Sequence, residues 1–366
     1  MPVDLKPMRY AHSEGHTDVC YDDNGRYLIT CGSDGDVRIY DGFDDDDPES
    51  FRAGENVTAV TYKNERIITG ADNAVQIYTF PSGTPDGMIT RFTASINCLC
   101  YSQSAKYLAA GASDFNIKVV QVSDSSHKSL QGHEAPVLSV ALDPDEEFLA
   151  SSSCDGTVKF WDWKEQKCLK SLNVLPKSND ISVSKSLCRL AFQPSGKKYL
   201  AVPLEKEVKI YERGTWNNLF SLKDHEVSSE SFSIAKWSPC GNYLATASVN
   251  GEILIWSIKT RQVIERTQHD KSLAITCLVW NPKMNGDLAY TDNQGQLGVC
   301  SDVIPTGTAP TTKKGQNVDP LDMMADEFVD DASETGSLLG AKKRSRVKNS
   351  WFDDEAEDGN GEVGAQ

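Results

Sequence analysis

Apolar and polar residues alternate in short runs through the first 300 positions, and nearly every run is closed by Gly, Pro, Asn or Asp. Residues 132–163, GHEAPVLSVALDPDEEFLASSSCDGTVKFWDW, show the pattern most fully. Val137–Leu142 alternates and stops at Asp143-Pro144. Phe148–Ser153 alternates and stops at Asp155-Gly156, and a third run ends at Trp161-Asp162. A period of two predicts half-buried strands, and Asp-Gly between two such runs predicts a tight hairpin. The same turn recurs as SDGDVRIY, ADNAVQIY, SDFNIKVV, CDGTVKFW, LEKEVKIY, VNGEILIW and NQGQLGVC, at spacings of 38, 42, 41, 50, 45 and 44 residues.

A repeat of this length with four short strands per copy is the mark of a propeller. Gly132-His133 at one end of the best copy and Trp161-Asp162 at the other match the signature of a WD-repeat blade. The expected fold is therefore all-β: a seven-bladed WD-repeat β-propeller over residues 1–300. Innermost strands are predicted in TDVCYD, NVTAVTY, INCLCYS, PVLSVAL, LCRLAFQ, SIAKWSP and ITCLVWN. The last copy supplies only three strands, whereas Pro7–His12 precedes the first copy without a blade of its own. The N-terminal segment is expected to complete the seventh blade, because an open edge there would invite pairing with other chains.

Two connections break the regularity. The spacing of 50 places an insertion at 173–185, on the face that carries the Gly-His loops. An acidic run, Asp44–Asp47, sits in a connection that opens on the opposite face. It could attract a cation or a basic partner, although runs of like charge are commonly just solvated. Beyond residue 300 the periodicity ends. Residues 301–366 hold 14 Asp/Glu and 7 Lys/Arg, a net −7 against −9 for the remainder. That composition cannot bury enough apolar area to offset ordering entropy, so an acidic, disordered linker is expected.

The chain of 366 residues has a formal net charge of −16, which argues against DNA binding by the molecule as a whole. It contains no apolar run of the roughly 18 to 20 residues that cross a bilayer, and its N-terminus lacks a secretory h-region. Ten cysteines scatter through predicted strands (Cys20, Cys98, Cys100, Cys188, Cys277) and turns rather than pairing at metal-like spacing. No metal, cofactor or membrane is expected.

His133, Ser151, Ser153, Asp155 and Trp161 could form a hydrolase-like trio with an indole beside it. No G-x-S-x-G elbow accompanies them, and a buried network that ties strands together accounts for all five residues. Blade 1 offers His16 and Asp34, with Tyr40 in place of Trp. Blade 6 offers His225 and Trp256, with Asn250 in place of Asp. P-loop, zincin and dinucleotide motifs are lacking, so an enzyme is not expected. In the tail, Lys342, Lys343, Arg344 and Arg346 form a short basic cluster that suits nuclear import. Trp351 and Phe352, set in an acidic tract, are candidate partner anchors.

Three strings go beyond a generic propeller: KPMRYAHSEGHTDVCYDDNGRYLITCGSDGDVRIYDGFDDDDPE, SSSCDGTVKFW and WSPCGNYLATASVNGEILIW. They resemble the N-terminal propeller of the WD-repeat and HMG-box DNA-binding proteins, animal counterparts of the yeast chromosome-transmission-fidelity replisome adaptor. The resemblance implies a nuclear, chromatin-associated, non-enzymatic adaptor linking the replicative helicase to DNA polymerase alpha–primase and supporting cohesion. In that family a second propeller trimerises and an HMG box contacts DNA. This sequence contains neither, so it reads as the N-terminal portion of a longer product. A propeller adaptor of another nuclear complex, a ubiquitin-ligase substrate receptor or a chromatin reader, fits the same blades.

Overall fold

Seven antiparallel sheets are arranged as successive blades in the computed structural model, which describes residues 4–5, 8–174, 188–223, 232–269, 273–284 and 286–304. Blade 4 is typical: Val137–Leu142 is innermost, followed by Phe148–Ser153, Thr157–Asp162 and Lys167–Asn173. Alternation along each strand sends side chains toward the two flanking blades. The core is accordingly divided into seven large apolar clusters, one per junction. Ile29, Val37, Val57 and Ile67 fill the junction of blades 1 and 2, for example, and Val19, Leu28, Cys277 and Leu297 that of blades 7 and 1.

Closure follows the expected route and begins earlier in the chain. Asp4–Leu5 and Arg9–Tyr10 both pair with Gln296–Ser301, the third strand of blade 7, in the registers Asp4↔Ser301 and Arg9↔Leu297. The Ala11 and His12 N–H groups then donate to the Gly295 carbonyl at 2.8 and 2.9 Å. Gly295 has φ +79°, and a Cβ there would stand 2.2 Å from the His12 carbonyl oxygen. Only glycine fits where the first segment crosses the last hairpin.

Polar ties join each blade to the next near the innermost strands. Thr276 Oγ1 meets Thr17 Oγ1 at 2.9 Å, the Val60 N–H donates to Asp18 at 3.1 Å, and Asn97 Nδ2 donates to the Val137 carbonyl at 2.8 Å. Ser152 Oγ donates to the Cys188 carbonyl at 2.9 Å.

Blade 5 departs from the sequence-based expectation. Its innermost strand shrinks to Ala191–Phe192, and Cys188, expected in a strand, adopts φ +37°. That turn swings Arg189 toward blade 6, where its N–H donates to the Ser233 carbonyl (2.8 Å) and its carbonyl accepts from the Ala235 N–H (3.1 Å). A parallel bridge Arg189↔Ile234 replaces part of the expected antiparallel ladder. The insertion lies immediately upstream; its residues from 175 onward are outside the described residues.

Because the first strand completes the last sheet, removing it should destabilise the ring as a whole. A chain beginning at Glu14 is expected to unfold in one transition well below the parent midpoint in a thermal melt. An unchanged midpoint would contradict closure through residues 4–12.

Candidate functional site

His133, Ser151, Asp155 and Trp161 converge within blade 4. His133 Nδ1 lies 2.8 Å from Asp155 Oδ2, and His133 Nε2 lies 2.7 Å from Ser151 Oγ. Trp161 Nε1 donates to the same Ser151 oxygen at 2.9 Å. Burial alone would raise the Asp155 carboxyl. Hydrogen bonds from His133, Thr157 and the Glu134 N–H outweigh it and hold that carboxyl well below the usual carboxylate range. Asp155 therefore accepts from Nδ1–H, leaving Nε2 to accept from the Ser151 hydroxyl. Ser153 stands aside, donating to the Ala135 carbonyl at 3.0 Å and accepting the Asp155 N–H at 3.1 Å.

The order Asp–His–Ser matches that of an acyl-transfer triad. Ser151, however, is 0% exposed, and its oxygen already accepts a hydrogen bond from the indole N–H. No carbonyl can reach it, and the arrangement acts as a strut between the loop at His133, two strands and the turn that joins them.

In blade 1 the histidine is a different one from that expected. His12 occupies the position, with Nδ1 2.9 Å from Asp34 Oδ1 and Nε2 2.8 Å from Thr30 Oγ1. The separations of 18 and 22 residues equal those of His133 from Ser151 and Asp155. His16 directly precedes the strand Thr17–Tyr21, and its ring meets Arg189 instead of Asp34. In blade 6, Trp256 Nε1 donates to Thr246 Oγ1 at 2.9 Å and Ser248 Oγ donates to Asn250, while His225 lies outside the described residues. Blade 7 uses His269, overlooked in the sequence, whose Nε2 lies 2.9 Å from Asp292 Oδ2. Blade 5 relies instead on Trp216, stacked on Phe160 of blade 4 with ring centroids 4.4 Å apart.

His16 takes part in a second cluster. Arg189 of blade 5 donates through Nη1 to Asp18 Oδ1 and through Nη2 to His16 Nε2, each at 2.9 Å. Blades 1 and 5 are not neighbours, so the guanidinium crosses the centre of the ring. Burial opposes charge on Arg189 and Asp18, but each holds the other ionised, raising the former and lowering the latter. Burial first, and then the Arg189 charge, push the His16 imidazole down to about 4. His16 is thus neutral at physiological pH, as its acceptor role at Nε2 requires.

Residues 9–299 match the model of the WDHD1 first WD40 domain. The chain belongs to this family. It is 47% identical over 344 residues to WD repeat and HMG-box DNA-binding protein 1 of Mus musculus, covering 93% of this chain and 30% of that protein. The Homo sapiens protein of the same name is 46% identical over 322 residues, 87% of this chain and 28% of that protein. Minichromosome loss protein 1 of Schizosaccharomyces pombe is 29% identical over 301 residues, 81% of this chain and 36% of that protein. The chain therefore spans between 28% and 36% of the length of these relatives.

Within this family propeller the acidic run has a definite neighbour. Arg9 of the closing segment donates to the Asp45 carbonyl and, at 2.6 Å, to Asp46 Oδ1, and its guanidinium lies 5.5 Å from the Phe43 ring centroid. The Asp41 N–H donates to Asp45 Oδ2 at 2.8 Å, which shapes the loop. The run therefore also clasps the strand that closes the ring. Lys342, Lys343, Arg344, Arg346, Trp351 and Phe352 lie outside the described residues.

Two measurements check these assignments. His12→Ala and His133→Ala should each cost about 2–3 kcal/mol in urea unfolding, because a buried hydroxyl and a carboxylate lose their partner; unchanged stability of His12→Ala would remove it from the network. His16 has a folded-state pKa below its unfolded value, so between about pH 6.5 and 4 the unfolded chain takes up a proton that the folded chain refuses. Stability should fall as pH drops through that window, by on the order of 2 kcal/mol from this group at pH 4.5. His16→Gln should flatten the slope, and an unaltered slope would contradict a buried neutral imidazole.

Proposed function

We propose that this chain is the N-terminal interaction module of a nuclear, non-enzymatic adaptor that serves DNA replication and chromatin. In this reading it helps couple the replicative helicase to DNA polymerase alpha–primase and supports cohesion. The carrying observation is the family match across residues 9–299, together with relatives whose names refer to DNA binding and to minichromosome loss. Support for a non-catalytic role comes from the burial of Ser151, whose trio with His133 and Asp155 is engaged inside blade 4. The net charge of −16 favours protein partners over direct DNA contact. Lys342, Lys343, Arg344 and Arg346 supply nuclear import, and Trp351 and Phe352 anchor a partner.

Expressed with a tag in cycling cells, the chain should be nuclear and co-purify with helicase and polymerase alpha subunits. Replacing Lys342, Lys343, Arg344 and Arg346 by alanine should move it to the cytoplasm, and Trp351→Ala with Phe352→Ala should reduce recovery of partners. Recovery of ubiquitin-ligase subunits in place of helicase and polymerase would overturn the replication reading.

A further inference from the structure

On the face opposite the Gly-His loops, each blade presents the turn that follows its innermost strand. Most of these turns are tied directly to the next blade. The Asn64 N–H donates to Asp23 at 3.0 Å, the Ser104 N–H to Glu146 at 3.2 Å and Lys197 Nζ to Asp145 at 2.5 Å. Gln193 Nε2 donates to the Gly241 carbonyl at 3.0 Å, and Asn281 Nδ2 to the Gly25 carbonyl at 2.8 Å. These bonds close the junctions of blades 1 with 2, 3 with 4, 4 with 5, 5 with 6 and 7 with 1.

Between blades 2 and 3 no such bond spans the turns among the described residues, and the walls part into a cleft of about 590 Å³. That is within the range of cavities that hold a ligand or a few side chains. Blade 2 contributes Asn64 and Arg66; blade 3 contributes Tyr101, Lys106, Tyr107 and Val122 among others. Tyr101 and Val122 pack on the cluster beneath and give the cleft an apolar floor.

The chain carries 53 Asp/Glu against 37 Lys/Arg, yet this lining has a cation on each wall and no carboxylate. Several other cations on this face are committed: Lys63 to Asp23 at 2.6 Å, Lys197 to Asp145 at 2.5 Å and Arg213 to Asp143 at 2.6 Å. Lys106 makes no ion pair among the described residues, and Arg66 has only a loose one, 3.6 Å from Asp86 at the rim. Glu146 of blade 4 feels the Lys106 charge without pairing with it, its carboxylate being hydrogen-bonded to Ser104 and Ser102. At the floor, the Tyr101 hydroxyl can donate, and burial raises its pKa above the ordinary phenol value.

We propose that this cleft is a docking site for an acidic peptide of a partner protein, with an Asp or Glu carboxylate held between Arg66 and Lys106 and a neighbouring apolar side chain resting on Tyr101 and Val122. Two opposed cations suit a single carboxylate. They are too few to follow a nucleic-acid backbone, which takes a row of phosphate contacts. The site stands on its own geometry, whichever complex the chain serves.

Phage display of a random dodecapeptide library on the full chain tests the site, with peptides recovered by wild type then measured by fluorescence anisotropy. Enrichment of Asp or Glu beside an apolar residue is expected. Arg66→Glu and Lys106→Glu should each weaken the selected peptides by about tenfold or more, while keeping the wild-type melting midpoint. Lys118→Glu, on another part of blade 3, should bind as wild type. Lack of enrichment, enrichment without acidic residues, or equal binding by the two charge-reversed variants would overturn the proposal. So would displacement of the peptides by a single-stranded oligonucleotide at lower concentration than by free peptide.

Discussion

The strand Gln296–Ser301 ends the last blade with a row of backbone N–H and C=O groups that must find partners. They find them in the first residues of the same chain, Asp4–Leu5 and Arg9–Tyr10. Every other junction is built from neighbours in sequence; this one joins the two ends of the propeller. Local features converge on it. Gly295 leaves room for the crossing, Met8 packs over Gly298, Arg9 is clasped by the acidic loop of blade 1, and His12 enters the blade 1 network. Residues that look unrelated along the chain are thus parts of one fastening.

The fold was legible because blade architecture is written in short-range chemistry. Asp155-Gly156 and its counterparts mark the hairpins, and alternation marks the strands on either side. The histidine network was legible only where all members are present, in blade 4. In blade 1 the Gly15-His16 dipeptide imitates the motif and conceals His12, although the separation of 22 residues from Asp34 identifies the latter. A dipeptide reports composition, whereas the reach of an imidazole to a carboxylate is a matter of loop length. The second wrong expectation, a full inner strand in blade 5, failed for a tertiary reason. Cys188 turns left-handed and gives the Arg189 backbone to blade 6, and no local propensity announces that.

The basic cleft was invisible in the sequence because its walls come from different blades. Arg66 and Lys106 are separated by a full repeat and meet only where two turns fail to bridge. The acidic run posed the reverse case. Its charge stood out, yet part of it is occupied by Arg9 in closing the ring. Charge density along a chain is thus a weaker guide than whether each charge already has a partner.

A ring of similar blades has to settle how many of them there are, since each junction taken alone resembles the others. Among the described residues the contact between Arg189 and Asp18 is not repeated around the ring. It is made only when blades 1 and 5 stand three positions apart by way of blades 6 and 7, at the diameter that seven blades produce. A ring of six or eight would leave a buried guanidinium and a buried carboxylate without each other, an arrangement that costs several kcal/mol. This long-range charge pair at the hub therefore works as a gauge, rewarding the correct blade number where the repeating junctions are indifferent to it.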